Sequence, residues 1–288
     1  MTMSTVPAKP LPEIKENDAK GHIAALYDDI RAVSGVPMIN LIFRHMATVP
    51  GCLDWAWATT RPLYLSGAIP KAAAALTESI LPGQTADLTG PISAAGLSTD
   101  DIDGMSRVLD SYGRANPMNL VGLKVIDLAL DQMPQDDTVG QAPALSDEML
   151  LTPEGMPDLL PMIDPTTAPD RTRGALSRLA RQIHGGDTGV IPSLYRHFGA
   201  WPDFLEELES ALEPTLSGGI EDAAQSMLAD GERRAEIMYR GLALSDMPPP
   251  DGQATATLKH LIGQFPPNIC RLTVLATLLK RGLPATAP

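Results

Sequence analysis

The 288-residue sequence predicts an all-helical (all-α) protein made of two tandem, related helical repeats. Three observations carry that prediction. Aromatic residues make up only 4% of the chain, while Ala, Leu and Met are plentiful, and Val, Ile, Thr and Tyr never gather into alternating runs. That balance favours helices over strands. Apolar residues recur instead at helical spacing. The chain also repeats itself: RHMATVPGCLDWAWATTRP at 44–62 and RHFGAWPDFLEELESALEP at 196–214 align at a displacement of 152 positions.

That displacement sets Arg44 on Arg196, His45 on His197, Pro50 on Pro202, Leu53 on Leu205 and Pro62 on Pro214. It returns far downstream, where Asn116, Leu120 and Leu123 fall on Asn268, Leu272 and Leu275. Gly21, Leu26 and Ile30 match Gly174, Leu179 and Ile183 with one residue gained, and LPEI at 11–14 echoes LPMI at 160–163. The repeats therefore occupy 1–131 and 160–288, joined by a Pro-, Gly- and acid-rich crossover over 132–159. Two such units are expected to pack face to face as a pseudo-dimer, with a cavity between them as the natural ligand site.

Within the first repeat, Ile39, Ile42, Phe43, Met46 and Val49 make a helical stripe that Pro50 ends. Leu53, Ala56 and Trp57 mark the next helix, which Pro62 ends or kinks. Ser98-Thr99-Asp100-Asp101 supplies a cap and negative charge for a helix around 102–113. Asn116-Pro117 then has the pattern of a capping side chain followed by Pro at the first helical position, opening an apolar helix to about 131.

A net charge of −13 and a pI near 4.7 exclude partners held by counterion release, so neither nucleic acid nor an anionic membrane surface is expected. No stretch approaches the ~20 apolar residues of a membrane span, and the N-terminal residues lack a signal-peptide core, so a soluble, cytoplasmic chain is expected. Cys52 and Cys270 lie in different halves without CxxC spacing, which supports neither a disulfide framework nor zinc. No dinucleotide fingerprint, P-loop, HExxH or GxSxG pattern occurs, and no cofactor or metal is expected. A homodimer of the chain is the one protein partner left open.

The duplicated Arg-His pair is the most conspicuous polar feature. Arg44 or Arg196 can grip a substrate carboxylate with a bidentate fork, and Asn40 lies one turn before Arg44; equally, these arginines can lock helices by pairing with Asp or Glu. His45 and His197 suit a general base or a metal ligand, or a structural role in the helix. Asn116 and Asn268 read as N-caps, and the Asn116 amide can also orient a water. Asp187 is the one carboxylate in the glycine-rich turn His184-Gly185-Gly186-Asp187-Thr188-Gly189; it is a candidate base, with turn capping as its other reading.

INLIFRHMATVPGCLDWAW in the first copy and PSLYRHFGAWPDFL in the second resemble the paired signature helices of the DehI, or group I, D,L-2-haloacid dehalogenases, and the similarity covers nearly the whole chain. The resemblance implies an all-helical fold of two repeats, and hydrolysis of the carbon–halogen bond of small 2-haloacids without a covalent ester. In the family an aspartate, helped by an asparagine, activates the attacking water. Asn116 falls on the family's Asn-Pro and inherits the water-positioning role. The family aspartate belongs to a Ser-Asp-Tyr-Arg pattern; here that stretch reads Ser193-Leu194-Tyr195-Arg196. Leu194 cannot take a proton, and Ile42 holds the equivalent place in the first copy. The resemblance thus implies a substrate-binding set of Asn40, Leu41, Arg44, Ser193, Leu194, Tyr195 and Arg196 around a small carboxylic acid. Asn116 and a relocated base, Asp187 or one of the paired histidines, carry the chemistry. The alternative is a non-catalytic small-acid binding or assembly protein.

Overall fold

The computed structural model describes residues 11–131, 157–186, 190–217, 219–241, 248 and 250–285. Most of the expected crossover, and Asp187 with it, lies outside the described residues. Among the described residues the elements are all helical. After a short 3-10 turn at Glu16–Asp18 they are α1 (Gly21–Ser34), α2 (Leu41–Met46), α3 (Cys52–Leu65), α4 (Ala68–Glu78), α5 (Thr89–Ala95) and α6 (Thr99–Leu130), then α7 (Asp170–His184), α8 (Ser193–His197), α9 (Pro202–Ser217), α10 (Ile220–Arg240) and α11 (Gly252–Gly282).

The helix ends follow from local chemistry. α1 stops at Gly35, whose left-handed φ of 63° lets its N–H return to the Arg31 carbonyl, and α7 stops the same way at Gly185. α6 opens on a capping box: the Ser98 hydroxyl accepts from the Asp101 N–H while the Asp101 carboxylate accepts from the Ser98 N–H. The Asp251 carboxylate caps α11 by accepting from Gln253 and Ala254.

The expected helix break at Asn116-Pro117 is not found. α6 runs unbroken through 32 residues, with Pro117 inside it. An interior proline removes one backbone hydrogen bond and costs about 3 kcal/mol in isolation. Tertiary packing overrides this, because Tyr112, Ala115, Asn116, Pro117, Met118 and Leu120 are all buried against neighbouring helices. Pro266 and Pro267 sit inside the 31-residue α11 in the same way, and Pro62 sits inside α3, which continues to Leu65.

α6 and α11 make the most extensive helix–helix contact and form the centre of the core. α10 packs across both, and comes close to α6 at Gly231, where a Cβ would stand 2.9 Å from the Leu120 side chain. α5 packs on α9, and α8 touches α6, so elements from before and after the crossover interleave. Cys52 and Cys270 are free and buried, and burial pushes both thiols up to about 12. No helix among the described residues is long and apolar enough to cross a membrane.

Candidate functional site

The duplicated Arg-His pairs have a common structural use. Each holds the extended segment that leads into its set of helices. Ile14 N–H donates to the Arg44 carbonyl at 3.0 Å, and Ile163 N–H donates to the Arg196 carbonyl at 3.1 Å. His45 Nδ1 bonds the Pro12 carbonyl at 2.6 Å, and His197 Nδ1 bonds the Leu160 carbonyl. A carbonyl oxygen only accepts, so Nδ1 carries a proton in both rings, and in the neutral form of His197 that leaves the lone pair on Nε2. LPEI and LPMI thus mark two similar clamps, which match at the Ile14 and Ile163 bonds and differ by one residue in the carbonyl that each histidine takes.

The guanidinium groups differ in what they hold. Arg44 is 7% exposed; its Nε donates to Glu13 at 2.5 Å and its Nη1 to the Ile39 carbonyl. Arg196 Nε donates to the Ile163 carbonyl at 3.0 Å, with no ion pair among the described residues. The structure thus engages Arg44 in packing, whereas Arg196 makes no ion pair among the described residues and its field reaches the Asp164 carboxylate.

One turn before Asn116 on the same face of α6 stands Tyr112, a residue the sequence reading did not single out. Its hydroxyl shares a hydrogen bond with Ser193 at the start of α8. Its ring meets the His197 imidazole edge to face, with centroids 5.7 Å apart. Burial raises the Tyr112 phenol well above its ordinary value and keeps it neutral, although the positive fields of Arg44 and Arg196 both reach it and oppose that rise. Tyr112 therefore joins residues from both halves of the chain: Asn116, Ser193, His197 and the two arginines.

Asn116 lies mid-helix, 6% exposed, and its Nδ2 has no hydrogen-bond partner among the described residues. Its role as a helix cap is thereby overturned: the amide projects from a continuous helix. Asn268, its counterpart by sequence, is engaged: its Oδ1 meets His184 Nδ1 at 3.3 Å and Arg271 at 3.5 Å. Leaving a buried donor unmade costs about 1–3 kcal/mol, so the first asparagine carries a deficit that the second does not. His197 is 4% exposed, and its Nε2 is likewise without a partner among the described residues. Burial, with the positive charge of Arg196 adding to it, holds this imidazole below the ordinary histidine value.

The remaining residues fall around this centre. Leu194 is fully buried. Tyr195 is fully buried too, and its hydroxyl has no partner among the described residues. Asn40 caps α2 through its backbone, its carbonyl accepting from Phe43 and Arg44, and its side chain makes no capping bond. Leu41 is half-buried beside it. Two clefts lie elsewhere on the first half of the chain. A groove of about 320 Å³ runs between α4 and α6, lined by Ala73, Thr77, Gly113, Arg114 and Met118. A cavity of about 10 Å³, room for a single water, lies between α2, α3 and α6, lined by Ile42, Phe43, Thr60, Tyr64 and Asn119. Both are lined by residues of the first half of the chain.

No model of a known protein family matches the chain. In sequence it is 28% identical over 266 residues to a configuration-inverting 2-haloacid dehalogenase of Alcaligenes xylosoxydans xylosoxydans, covering 89% of this chain and 83% of that one. It is 27% identical over 205 residues to a protein of the same description from Pseudomonas sp. (strain 113), covering 69% of this chain and 65% of that one. In fold it is similar to a D-2-haloacid dehalogenase mutant, with a TM-score of 0.76 at 18% identity over 96% of this chain and 97% of the other. A complex of D-2-haloacid dehalogenase with L-LA superposes with a TM-score of 0.74 at 19% identity, covering 96% of this chain and 98% of that one.

Proposed function

Because this chain is related in sequence and in all-helical fold to the configuration-inverting 2-haloacid dehalogenases, we propose that it is a hydrolase of small 2-substituted carboxylic acids, acting where α6 meets α8. The observation that carries the proposal is the unpartnered, buried amide of Asn116 in the middle of α6. It sits one turn from a tyrosine that is bonded to Ser193 and lies in the field of two arginines. In this reading the duplicated halves, 1–131 and 160–288, form a pseudo-dimer joined by the 132–159 crossover. Arg196 attracts the substrate carboxylate, Ser193 and Tyr112 orient it, and Asn116 holds the attacking water. Asn40, Leu41, Leu194 and Tyr195 shape the surroundings, and Arg44 contributes mainly its positive field.

Leu194 stands where the resemblance puts the family's water-activating aspartate, and a fully buried leucine favours a second reading: a small-acid binding protein without turnover. Halide release from both enantiomers of 2-chloropropionate, measured for the unaltered protein and for Leu194→Asp, separates the two. The hydrolase reading expects release by the unaltered protein, increased in the variant, since a positioned base contributes ~10²–10⁴-fold. Thermal stabilisation by 2-chloropropionate without halide release would replace the first reading by the second.

A further inference from the structure

We infer that His197 takes the place of the missing carboxylate as the group that accepts the proton from the attacking water; this rests on the hydrolase reading. Three observations converge. The Leu160 carbonyl fixes the proton on Nδ1, so Nε2 presents a lone pair, and that atom is buried with no partner among the described residues. The orphaned donor of Asn116 lies one turn from Tyr112, and the orphaned acceptor of His197 belongs to the ring that packs on Tyr112. A donor and an acceptor, each lacking a partner and both beside the same tyrosine, are what a bound water needs: Asn116 Nδ2–H to its oxygen and Nε2 for one of its protons. The ring is also held in place by the clamp. A base with a third group fixing its tautomer and direction is the arrangement that activates a nucleophile.

The step balances. The water oxygen forms a bond to C2 of the 2-haloacid as the C2–halogen bond breaks and its electron pair leaves on the halide. One water proton passes to Nε2, giving an imidazolium that later releases it to solvent, and the other stays on the product hydroxyl. Leu194 carries no group that could compete for the proton. The charged and titratable groups facing His197 are Arg196 on its own helix and Tyr112 on α6. Burial, and after it the charge of Arg196, favours the neutral ring before the reaction, so the base is ready at neutral pH.

The test is His197→Asn. The asparagine amide reaches about as far as Nδ1 and keeps a donor for the Leu160 carbonyl, but has nothing at the Nε2 position. Halide release from 2-chloropropionate should fall at least 100-fold with the melting temperature little changed. The kcat/KM profile of the unaltered protein should show an acid limb below the ordinary histidine range, and His197→Asn combined with Leu194→Asp should recover release with the limb moved to the carboxylate range. Unaltered release in His197→Asn, with the limb in place, would overturn the role of His197 while leaving the hydrolase reading standing. No release by the unaltered protein would remove the hydrolase reading itself, and this inference with it. If His197→Asn does not fold, imidazole ¹⁵N spectra of the unaltered protein supply the answer. An unprotonated Nε2 that shifts on adding 2-chloropropionate supports the role, and an Nε2–H tautomer or an unmoved signal overturns it.

Discussion

His197 and Tyr112 meet edge to face, with ring centroids 5.7 Å apart and planes at 73°. The contact joins the second Arg-His clamp to the middle of α6, so the segment at 160–163, the α8 helix and the Asn116 face of α6 are positioned by one another. The site is thereby assembled from parts that are far apart in sequence, and each part can be tested separately.

Arg44 separates packing from substrate binding. It is buried and bonded to Glu13 and to the Ile39 carbonyl, so Arg44→Ala should destabilise the fold by about 2 kcal/mol, read as a lower urea midpoint. A midpoint that stays put while KM for a 2-haloacid rises would instead make Arg44 a direct substrate contact.

Stability should depend on pH in a defined window. Burial holds both His184 and His197 below the ordinary value of 6.5. The unfolded chain therefore takes up protons that the native state refuses once pH drops below about 6.5. Their contribution is complete above that pH and is lost as pH falls through the native values. Denaturation midpoints should be level from pH 7 to 8 and decline from pH 6.5 to 5, less steeply in His197→Asn. A midpoint that rises on acidification would refute this.

Gly199 tests the clamp. A Cβ there would lie 2.3 Å from the Ile163 side chain, on the segment whose Leu160 carbonyl fixes His197. Gly199→Val should cost about 1–3 kcal/mol through overpacking and, by shifting that segment, lower the rate of halide release more than it changes KM. Wild-type stability would show that the segment is free to move aside.

The fold class was legible because the repeat and the helical spacing report the same pattern of burial. The internal echoes already mark the clamps, Arg44/Arg196 at 152 positions and LPEI/LPMI at 149, although their purpose needs coordinates. The one helix of the candidate site that the sequence splits is α6: Asn-Pro is strong cap chemistry, which places Tyr112 and Asn116 on different helices. Packing along α6 outweighs that local preference and sets the two side by side. Nothing local distinguishes Asn116 from Asn268 either. The difference lies in His184 and Arg271, which reach only the second amide.

The central claim is that water, activated beside Asn116 and His197, displaces halide directly. A single turnover of 2-chloropropionate in H₂¹⁸O with protein in excess tests it most directly. The account predicts lactate of inverted configuration carrying ¹⁸O in its hydroxyl in that first turnover. Lactate with unlabelled hydroxyl, which would require a protein carboxylate as nucleophile, or no lactate at all, would contradict it.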